Sequence, residues 1–409
     1  MNLKQIRSIL RDTDYIHTSG TEEELRVARY LAERCRELGA EARLEPFSVL
    51  MSEMHEAHLF ADGREIPCEG FRCCGSGEAE AEFFYMPCAD SVALSQCKGK
   101  IVLLDSGVSH FLYKDLWDHG AEGVITYDGS VLYADRDIDS RELRESVACG
   151  HLLPGVNINA KDAFALVKNG TKRVRITIDE TVTPGESHNV VAELPGESDE
   201  WIVLSAHYDT KPLSRGSYDN MSGCIGLLYV LEALRNVPRR FGLRFLFCGS
   251  EERGLLGSKA YTEMHDGELD KVALNINLDM IGSVMGKFAA CCSTETAFVN
   301  YIRAMSREAG WSMDAYQGVY SSDSTPFADH GVPALSFARL ATSAQAAIHT
   351  RYDTPAILSA EQIRQDSEFI AQFTRRMACA AVCPAERSIP QKIRDDLDVY
   401  LARKRKEQV

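Results

Sequence analysis

The stretch Phe245-Leu246-Phe247-Cys248-Gly249-Ser250-Glu251-Glu252 decides the fold. Its apolar run reads as a buried strand, and the end of that strand delivers two adjacent carboxylates into a folded core. Burying an unpaired charge costs several kcal/mol unless a cation or hydrogen bonds compensate. The pair therefore asks for a metal, and the rest of the chain is read for matching ligands.

Residues Trp201 to Asp209 form a second apolar run, ending in His207-Tyr208-Asp209. Asp219-Asn220 comes next, then Ser222-Gly223 and an apolar, helix-like run from Cys224 to Leu234. A third run, Val272 to Leu278, ends at Asp279, and His349-Thr350 lies further on with Asp353-Thr354-Pro355 behind it. Three strand-like runs thus end in metal-ligand chemistry, and in open α/β sheets sites gather beyond the carboxyl ends of strands. Strand and helix alternate after Ser187, which indicates an α/β fold: a mixed, mostly parallel sheet sandwiched by helices. Two divalent ions would bring four positive charges. Asp219, Glu252 and Asp279 return three negative ones, and a bridging hydroxide balances the rest. Two imidazoles and three carboxylates with no thiolate suit zinc, with cobalt or manganese as substitutes.

Together, five motifs resemble the M28 family of co-catalytic zinc aminopeptidases, from about Ser187 to the helix around Phe369. They are His207-x-Asp209, Gly216-x-x-Asp219-Asn220-x-Ser222-Gly223, Glu251-Glu252-x-Gly254-Leu255-Leu256-Gly257-Ser258, Asn277-Leu278-Asp279-Met280-Ile281-Gly282 and His349-Thr350. The resemblance implies a di-zinc centre in which Asp219 bridges, Glu252 and His349 hold one ion, and His207 and Asp279 hold the other. It also implies removal of residues from peptide N-termini. Glu251 is then the base that takes a proton from the attacking water and passes it to the leaving amine. Asp209 reads as the carboxylate that fixes the His207 tautomer. Tyr218 stands where many members carry Asp, and is expected at the rim of the substrate pocket. The basic loop Lys211-Pro212-Leu213-Ser214-Arg215 reads as an ordinary solvated loop near the site, the alternative being a receptor for an acidic group on the substrate.

The domain expectation is a catalytic domain from residues 1–47 and 185–409, interrupted by a smaller inserted domain at 48–184. The insert resembles the protease-associated domain of some M28 enzymes. In the first segment, Thr21-x-x-Glu24 reads as a capping box opening a helix through Leu38, with Gly39 as the stop. A net charge of −15 argues against nucleic acid and against an anionic membrane surface as partners. The start has no apolar signal core and no run approaches a membrane span. Thirteen cysteines without regular spacing favour reduced thiols, so the expected location is cytoplasmic. A homodimer is compatible with the inserted domain. Alternatives on the same scaffold are a carboxypeptidase or amidohydrolase, a glutaminyl-cyclase-like acyltransferase with one zinc, and an inactive binding module.

Overall fold

The computed structural model describes residues 1–105, 107–132, 138–148 and 150–405. The chain packs as two compact units, Met1–Val49 with Glu186–Val409, and Leu50–Gly185. These divisions fall one or two residues beyond those read from the sequence. Two long strands, Glu41–Ala61 and Arg173–Leu194, carry the chain out of the first unit and back.

The first unit holds the strands on which the motifs lie. Trp201–His207 sits at the centre, parallel to Gly242–Cys248 on one side and to Val272–Leu278 on the other. Val272–Leu278 is parallel to Ala334–Leu340 in turn. Lys287–Ser293 runs antiparallel to Ala334–Leu340 and parallel to Asp314–Gln317, while residues 190–194 run antiparallel to Gly242–Cys248 at the other edge. The sheet is mixed and mostly parallel, as expected.

Both of its faces are buried, because successive side chains on a strand point to opposite sides. Phe245 and Phe247 join the large cluster that includes Leu204, Ile276 and the apolar helix Ser222–Leu234. Leu246 and Cys248 join a second cluster with Val203, Tyr261, Phe327 and Ile393. Truncating a ring such as Phe247 to alanine would cost about 3–5 kcal/mol. Strands covered on both faces read as continuous apolar runs, which is why they stand out in the sequence.

The second helix, Glu22–Glu37, starts where expected: Thr21 Oγ1 accepts from the Glu24 amide at 3.2 Å, and Gly39 ends it with φ +88°. The capping box is only half formed. The Thr21 amide donates to Thr18 O, and the Glu24 carboxyl points elsewhere. The following strand, predicted from Glu41 to Phe47, continues to Ala61.

The second unit is built on the parallel strands Gly77–Met86, Lys100–Leu104, Gly123–Asp128 and Gly155–Asn159, with its own apolar core. The helix predicted at Phe111 to His119 is His110–Asp118. Among the described residues no helix is long and apolar enough to cross a membrane, and the described cysteines form no disulfide.

Candidate metal centre

The carboxyl ends of the three central strands bring His207, the Glu251–Glu252 turn and Asp279 together, and two loops add Asp219 and His349. Two groups of three potential ligands result, His207–Asp219–Asp279 and Asp219–Glu252–His349, and they share Asp219. The two oxygens of Asp219 face different ways. Oδ1 lies 3.1 Å from His207 Nε2, which is itself 3.8 Å from Asp279 Oδ1. Oδ2 lies 3.1 Å from His349 Nε2, which is 3.1 Å from Glu252 Oε1. Ligand atoms around a tetrahedral zinc at ~2.0–2.2 Å stand about 3.3–3.6 Å apart, so the spacing fits. Asp279 Oδ1 is buried with no hydrogen-bond partner among the described residues, which points to a cation as its counterpart.

Electrostatics agree. Burial alone would lower the His207 imidazole, but Glu251, Asp209, Asp219 and Asp279 override it and raise its pKa well above 6.5. His349, also opposed by burial, is raised to about 10 by Asp219 and Glu252. Asp219 is pulled the other way: its hydrogen bonds to His207 and His349 outweigh burial and hold it below the usual carboxylate range. Burial raises Glu251 and Asp279. A buried group of carboxylates thus recruits positive charge to itself, and divalent cations meet the same demand.

Asp219 and Asp279 each have a local anchor. Asp353, fully buried, accepts from the Tyr218 and Asp219 amides at 2.7 and 3.1 Å and so fixes the backbone of the shared carboxylate. Asn220 grips the strand end that bears Asp279, donating to Leu278 O at 2.9 Å and accepting from Met280 N at 3.0 Å. Gly223 must lack a side chain here, since a Cβ would come within 2.4 Å of Asn220 Oδ1 and 2.5 Å of Leu278 O. Ser250, Leu255, Met280 and His349 all take positive φ without being glycine. Such backbone strain persists only where surrounding structure imposes it, and here it gathers around the ligands.

The Glu251–Glu252 turn is held amide by amide. Gly249 N donates to Asn189 Oδ1 at 3.2 Å and Ser250 N to Glu24 Oε1 at 3.2 Å. Glu251 N donates to Asp209 Oδ1 at 2.8 Å and Glu252 N to Asp209 Oδ2 at 3.2 Å. Glu252 faces His349, whereas Glu251 Oε2 lies 4.0 Å from His207 Nε2 in the other group. The two carboxylates therefore point different ways. Asp209 is placed less simply: its Oδ1 is 3.5 Å from His207 Nδ1, so the turn amides are its closer partners.

Two surface expectations are corrected. Tyr218 does not line a pocket rim; it is 2% exposed, donates to Arg339 O at 2.6 Å and accepts from Ala341 N at 3.3 Å. A phenol reaching two backbone groups is buried because both of its hydrogen-bonding roles are met. Lys211 is not a solvated side chain, since its ammonium pairs with Glu252 Oε2 at 3.4 Å and donates to Glu252 O. Sequence reading gave Glu24 only a helix cap and assigned no role to Asp353 or Asp323; all three are buried acids. The site opens at His349, whose side chain is 42% exposed while the other four ligands are buried.

Comparison with known proteins gives this geometry a family. Residues 189–374, which include all five candidate ligands, match the model of peptidase family M28. Over 341 residues the chain is 27% identical to aminopeptidase YwaD of Bacillus subtilis, covering 78% of this chain and 71% of that protein. It is 34% identical to leucine aminopeptidase 2 of Arthroderma otae over 194 residues, 46% of this chain but only 38% of that protein. In three dimensions it superposes on BSAP, a zinc aminopeptidase from Bacillus subtilis, with a TM-score of 0.77 at 23% identity, covering 96% and 98% of the two chains. An aminopeptidase from Aneurinibacillus sp. strain AM-1 gives 0.77 at 21% identity, covering 93% and 95%. These two likenesses concern the fold. The match to peptidase family M28 is confined to residues 189–374, the segment that carries the five candidate ligands.

Proposed function

We propose that the chain is a zinc-dependent aminopeptidase, which hydrolyses the N-terminal peptide bond of peptides with two zinc ions and Glu251 as general base. The observation that carries this reading is the pair of three-residue ligand groups joined through the two oxygens of Asp219. His207, Asp279 and Asp219 Oδ1 would hold one ion, and His349, Glu252 and Asp219 Oδ2 the other. When bound, zinc supplies Lewis acidity, polarising a carbonyl and acidifying water.

The remaining chemistry belongs to the chain. Glu251 belongs to neither ligand group, and burial with its acidic neighbours Asp323, Glu252 and Asp279 raises its affinity for a proton. It takes the proton of the attacking water and returns it to the departing amine. Asp209 holds the Glu251 and Glu252 amides, which sets the direction of both side chains. The surrounding carboxylates attract a protonated N-terminus, in keeping with the names of the relatives.

The test combines zinc stoichiometry with mass spectrometry of a mixed peptide library. Two zinc ions per chain and stepwise loss of N-terminal residues are expected. Glu251→Gln should retain both ions and lose about 10²–10⁴-fold in kcat. Loss from C-termini, N-terminal cyclisation with a single zinc, or full activity in Glu251→Gln would overturn the reading.

A further inference from the structure

Glu24 is a carboxyl with no evident task in the sequence beyond a helix cap, and the structure withholds that task from it. It is 1% exposed, and its oxygens reach three separate segments. Oε2 accepts from Gly20 N at 2.6 Å. Oε1 accepts from Ser187 Oγ at 2.8 Å, from Ser250 N at 3.2 Å and from Ser250 Oγ at 3.4 Å. Ser250 Oγ is also 2.5 Å from Ser19 Oγ. Ser250 is fully buried, takes φ +55°, and immediately precedes Glu251. The contact with the turn is direct, because a Cβ on Gly249 would stand 3.0 Å from Glu24 Oε1 and 2.6 Å from Ser187 Oγ.

We propose that Glu24 is a positioning residue for the metal centre: carried by the helix Glu22–Glu37, its carboxyl fixes the backbone from which Glu251 and Glu252 project. Asp209 holds the two amides of the acidic pair, and Glu24 holds the amide before them. The turn is therefore pinned on both sides of its left-handed residue. Removing either pin frees a strained backbone to relax, and the two side chains move with it. A carboxyl suits the position better than a hydroxyl or an amide. Gly20 N and Ser250 N can only donate, and they approach different oxygens. Burial, then the charge of Asp209, pushes the pKa of Glu24 up to about 8. Both oxygens serve the two amides in either protonation state, since a proton on Oε1 can be given to the Ser187 hydroxyl.

This deepens the zinc-peptidase reading and rests on it for the role of Glu251, but its test has a separate readout. Zinc affinity is measured on the full chain by competition with a chromogenic chelator, alongside kcat and KM on an aminoacyl anilide. The proteins are wild type, Glu24→Ala and Glu24→Gln. Glu24→Ala should weaken zinc binding and lower kcat by about 10–100-fold each, with KM within about twofold. Glu24→Gln keeps one acceptor oxygen and should fall between the two. A purely structural role would lower the melting temperature and leave zinc affinity and kcat per zinc-loaded chain within about twofold of wild type. That result overturns the proposal. If Glu24→Ala does not fold, Glu24→Gln decides by the same criterion. A wild type that binds zinc but cleaves no peptide removes the peptidase reading, while the zinc affinities still decide the case of Glu24. A wild type that binds no zinc removes both.

Discussion

Asp209→Asn tests the geometry of the centre at its least obvious point. The Asp209 carboxylate has three neighbours: Glu251 N at 2.8 Å, Glu252 N at 3.2 Å and His207 Nδ1 at 3.5 Å. Hydrogen bonds to a charged acceptor contribute about 1.5–3 kcal/mol each. Asparagine has the same shape but one acceptor oxygen, so its NH2 must face at least one of these groups. Against a backbone amide, donor meets donor, and a buried unmet N–H costs about 1–3 kcal/mol. One effect opposes this loss. Asp209 helps to raise the pKa values of Glu24 and Asp323, so neutralising it relieves repulsion among buried acids.

The loss outweighs the relief with or without zinc. With the ions bound, the repulsion is already screened by positive charge, and the lost hydrogen bonds dominate. The zinc-loaded variant should be about 2 kcal/mol less stable than wild type in urea unfolding. With the metal chelated, the relief is offset by loss of the negative charge that Asp209 offers the protonated His207, so the variant should remain destabilised there too. Activity follows the turn: kcat/KM should fall about 10–100-fold, equivalent to about 1.4–2.8 kcal/mol. Activity and zinc-loaded stability both within experimental error of wild type would refute the view that these amide contacts orient the acidic pair.

Two further outcomes follow from buried groups. Tyr218→Phe removes a hydroxyl bonded to Arg339 O and Ala341 N, so stability should fall by about 1–3 kcal/mol with no change in the N-terminal residue preferred; a changed preference in a peptide library would return the phenol to the substrate. Glu24 sets a pH dependence: raised from 4.5 to about 8 mainly by burial, it binds more protons folded than unfolded between those values. Its contribution is complete below about pH 4.5 and is lost as pH rises through 8, with a ceiling of about 5 kcal/mol. Glu24→Gln lacks that term, so urea unfolding at pH 5 and pH 8.5 should show a shallower fall than wild type; equal slopes would contradict the placement of Glu24.

What could be read in the sequence and what could not divide along a physical line. The strands ending at His207, Cys248 and Leu278 announce themselves because parallel strands covered on both faces must be continuously apolar. Three of the candidate ligands, His207, Glu252 and Asp279, announce themselves because they break that pattern at strand ends. His349 had no strand to mark it, and it indeed sits in a turn with positive φ. The supporting acids were hidden by locally adequate explanations. Glu24 follows Thr21 at capping distance, and Asp353 precedes Thr-Pro in a turn, so neither demands anything remote. Yet Glu24 had a legible clue. It lies on the helical stripe of Ala28, Leu31 and Cys35, all buried, and a capping glutamate has no reason to occupy a core face. Tyr218 shows the converse. Its place beside the shared ligand suggested contact with substrate, but adjacency in sequence does not fix direction, and the side chain turned inward to two backbone partners. An acidic residue on an apolar stripe is therefore better evidence of a distant polar partner than a ligand's immediate neighbour is of substrate contact, because burial of charge must be compensated somewhere whereas proximity obliges nothing.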